Sequence, residues 1–389
     1  MKVLSVDIGT GTQDIYLYQA GLDIENGFKL VVPSPTMMVF RRLKQASKRG
    51  EPVVLSGVTM GGGPSHWAAR DHVLAGNALY ATPDAARSFN DDLEVVQEIG
   101  IQIIGEDEVS TLPSDVRRID LKDFDFPAIR GALAEFDLSL DDLDAAAIAV
   151  FDHGAAPPGY SDRQFRFDYL AERLNPGTSG PGGSTLSKLA FKRGEIPEKM
   201  TRLRAVEISA GDVDAPLLVM DTAPAAVLGA ILDPVVKNRS RVMAANVGNL
   251  HTLAFRLNGE QVEGVFEHHT GLINTDKLDR TLRSFAEGTL THQEIFDDHG
   301  HGALIYSPEP YDLEEGAFNL VVTGPRRNLM RGSTLRPYFA APFGDMMLTG
   351  CFGLLAAAAD AFPELGDQIR ASLGGDDGIG TGKPPWEID

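Results

Sequence analysis

Apolar and polar positions alternate from the first residues of the chain. Residues 2–7 read as a strand, Gly9-Thr10-Gly11 turns it, and residues 14–19 set Ile15 and Leu17 against Tyr16 and Tyr18 in a second strand. Ala20-Gly21 and a strand over 28–32 complete a three-stranded meander. The same pattern returns far downstream. Residues 242–247 form a strand, Gly248-Asn249 a turn and 251–257 a strand; Asn258-Gly259 is a strong hairpin signal before a third strand over 261–266. Superposing the two units aligns Asp7-Ile8-Gly9-Thr10 with Asn246-Val247-Gly248-Asn249. A unit of this size, repeated once, predicts a duplicated domain in which each lobe turns one hairpin toward a shared cleft.

Between the repeats, strands and helices alternate. Residues 53–58 form a buried strand, followed by Gly61-Gly62-Gly63 and a helix from about Ser65. Residues 145–151 form another, ending at Asp152-His153-Gly154. A polar helix over 161–174 leads into a glycine-rich loop or hinge at 177–183. A strand over 217–220 feeds a helix over 224–232, with Pro224 suited to its first turn. Residues 319–322 form a strand entering Thr323-Gly324-Pro325, and 345–362 an apolar helix holding Gly350, Gly353 and four alanines. The segment from Gly374 is Gly- and Asp-rich, as disordered tails are.

Composition narrows the chemistry. With 389 residues the chain asks for two or three lobes. A net charge of −20 repels phosphate backbones and anionic lipid, so neither nucleic acid nor a membrane surface is an expected partner. No apolar run spans a bilayer and no signal peptide opens the chain, which points to the cytoplasm. Cys351 is the single cysteine, too few for an iron–sulfur cluster.

The sharpest chemical signal is Asp7-Ile8-Gly9-Thr10-Gly11-Thr12. A polyphosphate needs unshielded backbone N–H groups, which a glycine turn presents without Cβ interference. Thr10 and Thr12 can add hydroxyl donors, and Asp7 can hold Mg²⁺, which favours one or two carboxylates plus phosphate oxygens. The glycines before Ser65 could receive an anion at a helix start. Histidines offer a second chemistry. His153 ends a buried strand beside Asp152, His251 lies in the downstream turn, and His268-His269 follow Glu267. These could converge as metal ligands or as an acid–base set, with Asp152, His153 and His268 the leading substrate-side candidates.

In this order the segments resemble the actin, Hsp70 and sugar-kinase superfamily. Asp7–Thr12 is similar to its first phosphate loop. The run from Asp221 through Pro224-Ala225-Ala226 to Gly229-Ala230 is similar to the helix before its second loop, and Asn246, Gly248 and Asn249 occupy that loop. Thr323-Gly324 resembles the adenosine turn, and the 345–362 helix the closing inter-lobe helix. The resemblance implies an α/β actin-like ATPase fold of duplicated ribonuclease-H-like lobes. The lobes would span 1–215 and 216–344, then a closing helix over 345–372 and a tail over 373–389. It also implies ATP or ADP with Mg²⁺; among the catalytic carboxylates Asp7 would organise the metal, and Asp221 or Asp152 is the candidate base. Three positions depart from the superfamily pattern: Asn246 for an aspartate, Ala223 for an acidic residue and Pro325 for a glycine. The whole chain resembles, besides, an uncharacterised family labelled pyruvate formate-lyase activating enzyme, a label that implies a three-cysteine cluster and that the single Cys351 contradicts.

The expected function is therefore a nucleotide-dependent phosphotransferase or ATPase acting on a small molecule or a protein client, with an oligomer open. Its rivals are a nucleotide-binding module without turnover and a metal-assisted enzyme built on the cleft histidines.

Overall fold

A computed structural model describes residues 1–175, 184–313, 319–374 and 386. The expected hinge at 177–183 lies outside the described residues, as does nearly all of the expected tail beyond 374.

Strands β1 (Lys2–Ile8), β2 (Thr12–Gln19) and β3 (Phe28–Pro33) form an antiparallel meander whose register sets Asp7 opposite Asp14. The chain then builds a separate small unit. Its strands β4 (Val53–Gly57), β5 (Leu79–Ala81), β6 (Gln102–Ile103) and β7 (Arg117–Leu121) lie parallel in the order β6-β5-β4-β7. The first lobe resumes with β8 (Ala145–Val150), β9 (Ala190–Lys192) and β10 (Leu217–Asp221), giving the order β3-β2-β1-β8-β10-β9. Every residue of β8 is buried, because helices cover both faces of this central parallel strand.

The second lobe holds β11 (Arg241–Val247), β12 (His251–Asn258), β13 (Gln261–His269), β14 (Gly302–Ile305), β15 (Leu320–Thr323) and β16 (Tyr338–Phe339). Their order is β14-β13-β12-β11-β15-β16. In each lobe the first strand of a meander takes a parallel strand on its free edge, β8 on β1 and β15 on β11. Asp7 stands beside Ala149 as Asn246 stands beside Thr323. This is the duplicated ribonuclease-H-like arrangement of the actin-like ATPase fold.

Two boundaries move. β10 pairs with β8 inside the first sheet, so the first lobe continues through Asp221, past the expected division at 215/216. The expected closing helix over 345–372 is two helices, Thr349–Ala361 and Pro363–Gly374. Pro363 lacks the N–H that would continue the first one. The small residues of Thr349–Ala361 meet those of the helix Thr222–Ala230. A Cβ on Gly229 would lie 1.8 Å from the Thr349 carbonyl oxygen, and one on Gly353 1.8 Å from that of Ala225. The backbones touch, and only glycine fits at either point.

The helix Asp162–Leu174 links the lobes. Phe167, Leu170 and Leu174 sit in a core that residues of both sheets share, and Arg163 donates through Nη1 to the Phe296 carbonyl at 3.0 Å in the second lobe. His292 and Gln164 are hydrogen-bonded beside it at 3.0 Å. No helix among the described residues is long and apolar enough to cross a membrane.

Candidate functional site

The two hairpin turns are built alike. Gly9 donates its N–H to the Thr12 carbonyl at 2.9 Å, and Gly248 donates to the His251 carbonyl at 2.9 Å. They meet across a cleft of about 330 Å³, large enough for a small-molecule ligand. A Cβ on Gly11 would lie 2.9 Å from Asn249 Nδ2, so the turns approach within side-chain contact. Gly63 joins them from the inserted unit: a Cβ there would come within 3.2 Å of Leu250 and 3.8 Å of Thr10. Ser34 Oγ holds the first turn from behind by donating to the Thr10 carbonyl at 2.6 Å.

Asp7, Thr10, Gly11, Thr12, Asn246, Gly248, Asn249, Thr323 and Gly324 all line this cleft, as do Gly9, Asp152 and His153. Gly324 has φ +99°, and a Cβ there would lie 2.4 Å from Asn246 Oδ1. The turn thus needs glycine for its backbone and for its closeness to the neighbouring strand.

Asp7 lies at the cleft floor with Oδ1 accepting from Thr222 Oγ1 at 2.5 Å. Burial pushes its carboxyl up to about 7, against the pull of the Thr222 bond and with some help from Asp221. Directly across the hairpin, burial and the nearby Asp7 push Asp14 up to about 8. Its Oδ1 is buried and has no hydrogen-bond partner among the described residues. Two facing carboxylates with an orphaned oxygen suit a hard divalent cation, which would lower both and satisfy the free atom. The residues present therefore fit a cation such as Mg²⁺, which Asp7 and Asp14 would hold. Sequence reasoning named Asp7 and missed Asp14, although the Gly9–Thr12 turn already fixes 7 against 14.

The other two carboxylates expected to be catalytic are occupied. Asp152 accepts from the Gly154 N–H at 2.8 Å and the Leu203 N–H at 2.9 Å, which spends both of its oxygens on backbone. Asp221 accepts from Ala223 N–H at 3.1 Å, capping the following helix, and from Arg166 Nη1 at 2.5 Å. Arg166 is fully buried; it also reaches Glu267 Oε2 at 3.1 Å and the Asp152 carbonyl at 2.8 Å. Burial opposes the charge on Glu267, yet His301, Arg166 and His251 outweigh it and hold its carboxyl well below the usual range.

The histidines divide. His153 is on the cleft wall, its Nδ1 hydrogen-bonded to the Gly154 carbonyl at 2.6 Å. His268 is buried away from the cleft, bonded through Nε2 to Asp298 at 3.1 Å. His251 lines the cleft and stacks on Phe151 of the first lobe, ring centroids 4.2 Å apart. His269 and His301 gather beside it. His301 has no sequence signal of its own; only the strand register brings it in.

Among solved structures, the chain is similar to the ROK hexokinase from Thermus thermophilus, at 12% identity over 67% of this chain and 47% of that one, TM-score 0.24. It is similar to an exopolyphosphatase-like protein at 11% identity, over 76% of this chain and 57% of that one, TM-score 0.23. It is also similar to the type II variant of the Aquifex aeolicus Ppx/GppA phosphatase at 11% identity, over 96% and 90%, TM-score 0.28. The chain thus spans about half the length of the first two proteins. At values this low the fold rests on the strand order above, and no activity passes from these proteins to the chain. No curated protein matches it.

A radical-activating enzyme would need a cysteine-held cluster, and the residues do not fit one. Cys351 is fully buried, donates to the Asp14 carbonyl at 3.0 Å, and has its thiol pushed far up by burial and by Asp7 and Asp14. That mismatch stands against the name only, because the match itself runs over residues 60–329: the chain belongs to the family described as "Putative pyruvate format-lyase activating enzyme (DUF1786)".

Proposed function

We propose that the cleft binds a nucleoside di- or triphosphate with Mg²⁺ and serves a phosphotransferase or ATPase, with a small molecule or a client protein as acceptor. One observation carries this reading: two turns with the same Gly N–H bond, one from each lobe, touch across the cleft above a buried Asp7–Asp14 pair.

In this reading the backbone N–H groups of Thr10, Gly11 and Thr12 cradle phosphate from one side, and those of Gly248 and Asn249 from the other. Asp7 and Asp14 hold the cation, whose chemistry is to neutralise charge on the phosphate oxygens. Gly324, bare of side chain, lets the adenosine end approach the backbone. Phosphoryl transfer asks for positioning and charge more than for covalent help, so it suits a site whose other carboxylates are already engaged. The engagement of Asp152 and Asp221 favours, as a second reading, a nucleotide-binding module without turnover.

Thermal unfolding with and without Mg-ATP and Mg-ADP tests the binding. A ligand at a hundredfold over its Kd adds about 2.7 kcal/mol, a shift of several degrees; an unmoved transition with both nucleotides would remove the reading. Phosphate release from Mg-ATP then separates the two versions.

A further inference from the structure

Strand register carries three histidines to one end of the second sheet. His251 opens β12 and stands opposite His269 at the end of β13. Glu267, two residues earlier, pairs with Gly302 at the start of β14. His301, whose N–H donates to the Glu267 carbonyl at 2.9 Å, therefore comes alongside. The rings make a nearly equilateral triangle, with centroids 5.1, 5.0 and 4.6 Å apart. One nitrogen from each lies within 4.8 Å of the other two.

Glu267 lies beneath them. Its Oε1 bonds His251 Nδ1 at 2.9 Å and lies 3.6 Å from His301 Nδ1, while Oε2 is held by Arg166. A carboxylate behind the ring turns the remaining nitrogen outward, which is how metal-binding imidazoles are oriented. His301 is 4% exposed, and its Nδ1 faces Glu267 Oε1 with no hydrogen-bond partner among the described residues.

We propose that His251, His269 and His301 form a site for a divalent transition metal of the zinc, cobalt or iron(II) kind, with its open position toward the cleft that His251 lines. Nitrogen donors set it apart from the oxygen pair Asp7–Asp14: imidazole suits these metals and carboxylate suits magnesium. A tetrahedral ion about 2.0–2.1 Å from each nitrogen needs separations near 3.4 Å, which small ring tilts can reach. Three protein ligands with one position free is the arrangement that activates a bound water or a substrate oxygen. The site would act on the same cleft, yet it stands whether or not a nucleotide binds there.

Chelator-stripped protein titrated with Co²⁺ gives a readout independent of activity. The expected result is one equivalent bound, a visible ligand-field absorption band, and displacement by Zn²⁺ but not by excess Mg²⁺. Glu267→Gln should weaken binding about 10–100-fold through the lost orientation, and His269→Ala, at a half-buried corner, should weaken it at least as much. His269→Gln, closer in size, replaces the alanine variant if that one fails to fold. Well under one equivalent on the wild-type protein overturns the site, leaving the histidines as a hydrogen-bonded cluster around Glu267. So does an unchanged Co²⁺ affinity and spectrum in a folded His269 variant.

Discussion

Gly9 and Gly248 close their turns with the same bond at the same distance, yet the side chains hung on those turns have little in common. The first lobe sets Asp7 against Asp14; at the matching position the second has Asn246, followed in its turn by Asn249 and His251. Backbone shape follows from glycine and strand register, and both lobes keep it. Charge follows from a few side chains, and there the lobes part. One turn offers oxygen donors for a hard cation, while the other offers an uncharged rim and imidazoles. A symmetric cradle can thus serve an asymmetric ligand, whose charged and neutral ends face different lobes.

The strongest way to break this pairing of lobes is through Arg166, which joins Asp221 of the first to Glu267 of the second. Arg166→Met should cost about 3–5 kcal/mol, because it leaves two carboxylates buried without their partner. Urea unfolding measures it, and a change under 1 kcal/mol would show that the pair does not hold the lobes together. Next comes Gly324→Ala, expected to cost roughly 2–3 kcal/mol from its positive φ and the clash with Asn246. The counterpart in the first lobe is already a side chain, Val150, one residue beyond the strand partner of Asp7. A Gly324→Ala protein as stable as the wild type would contradict this reading of the second lobe's turn.

Asp7→Asn should weaken Mg-dependent nucleotide binding about a hundredfold, the loss of one charged contact of 2–3 kcal/mol. The lobes should also titrate in opposite senses. Asp7 and Asp14 are raised to about 7 and about 8, so the unfolded chain loses these protons first. Their contribution is fully present below about pH 4 and is lost as pH rises through 7–8. Glu267 is held low, so its contribution is present above the ordinary carboxylate range and is lost as pH falls. Melting curves from pH 4 to 9 should therefore show Mg²⁺ stabilising more as pH rises; a Mg²⁺ effect independent of pH would sharpen the case against the Asp7–Asp14 site. The smallest change expected is Asn246→Asp, which adds a third carboxylate to the cleft beside Asp7 and Asp14. It should shift nucleotide affinity by less than about tenfold while making it depend more steeply on Mg²⁺.

Much of the fold was legible in the sequence because its signals are local. Alternation, the Gly9-Thr10-Gly11 and Gly248-Asn249 turns and the Asn258-Gly259 hairpin placed both meanders, and their spacing exposed the duplication. The insertion's parallel sheet was hidden, since β5 and β6 are only three and two residues long. The site was half legible. Asp7 and the two turns sit on local motifs, whereas the Asp7–Asp14 pair and the His251–His269–His301 triangle exist only through register. Asp152 and Asp221 read as free acids because a sequence gives no hint of the backbone N–H groups and the buried arginine that engage them.

Isothermal titration of the purified protein with ADP, once with Mg²⁺ and once with a chelator, tests the central claim most directly. Nucleotide binding at one site per chain, clearly tighter with Mg²⁺ and losing that advantage in Asp7→Asn, is the predicted result. Absence of heat under both conditions, or an affinity indifferent to Mg²⁺ and to Asp7, would contradict the account.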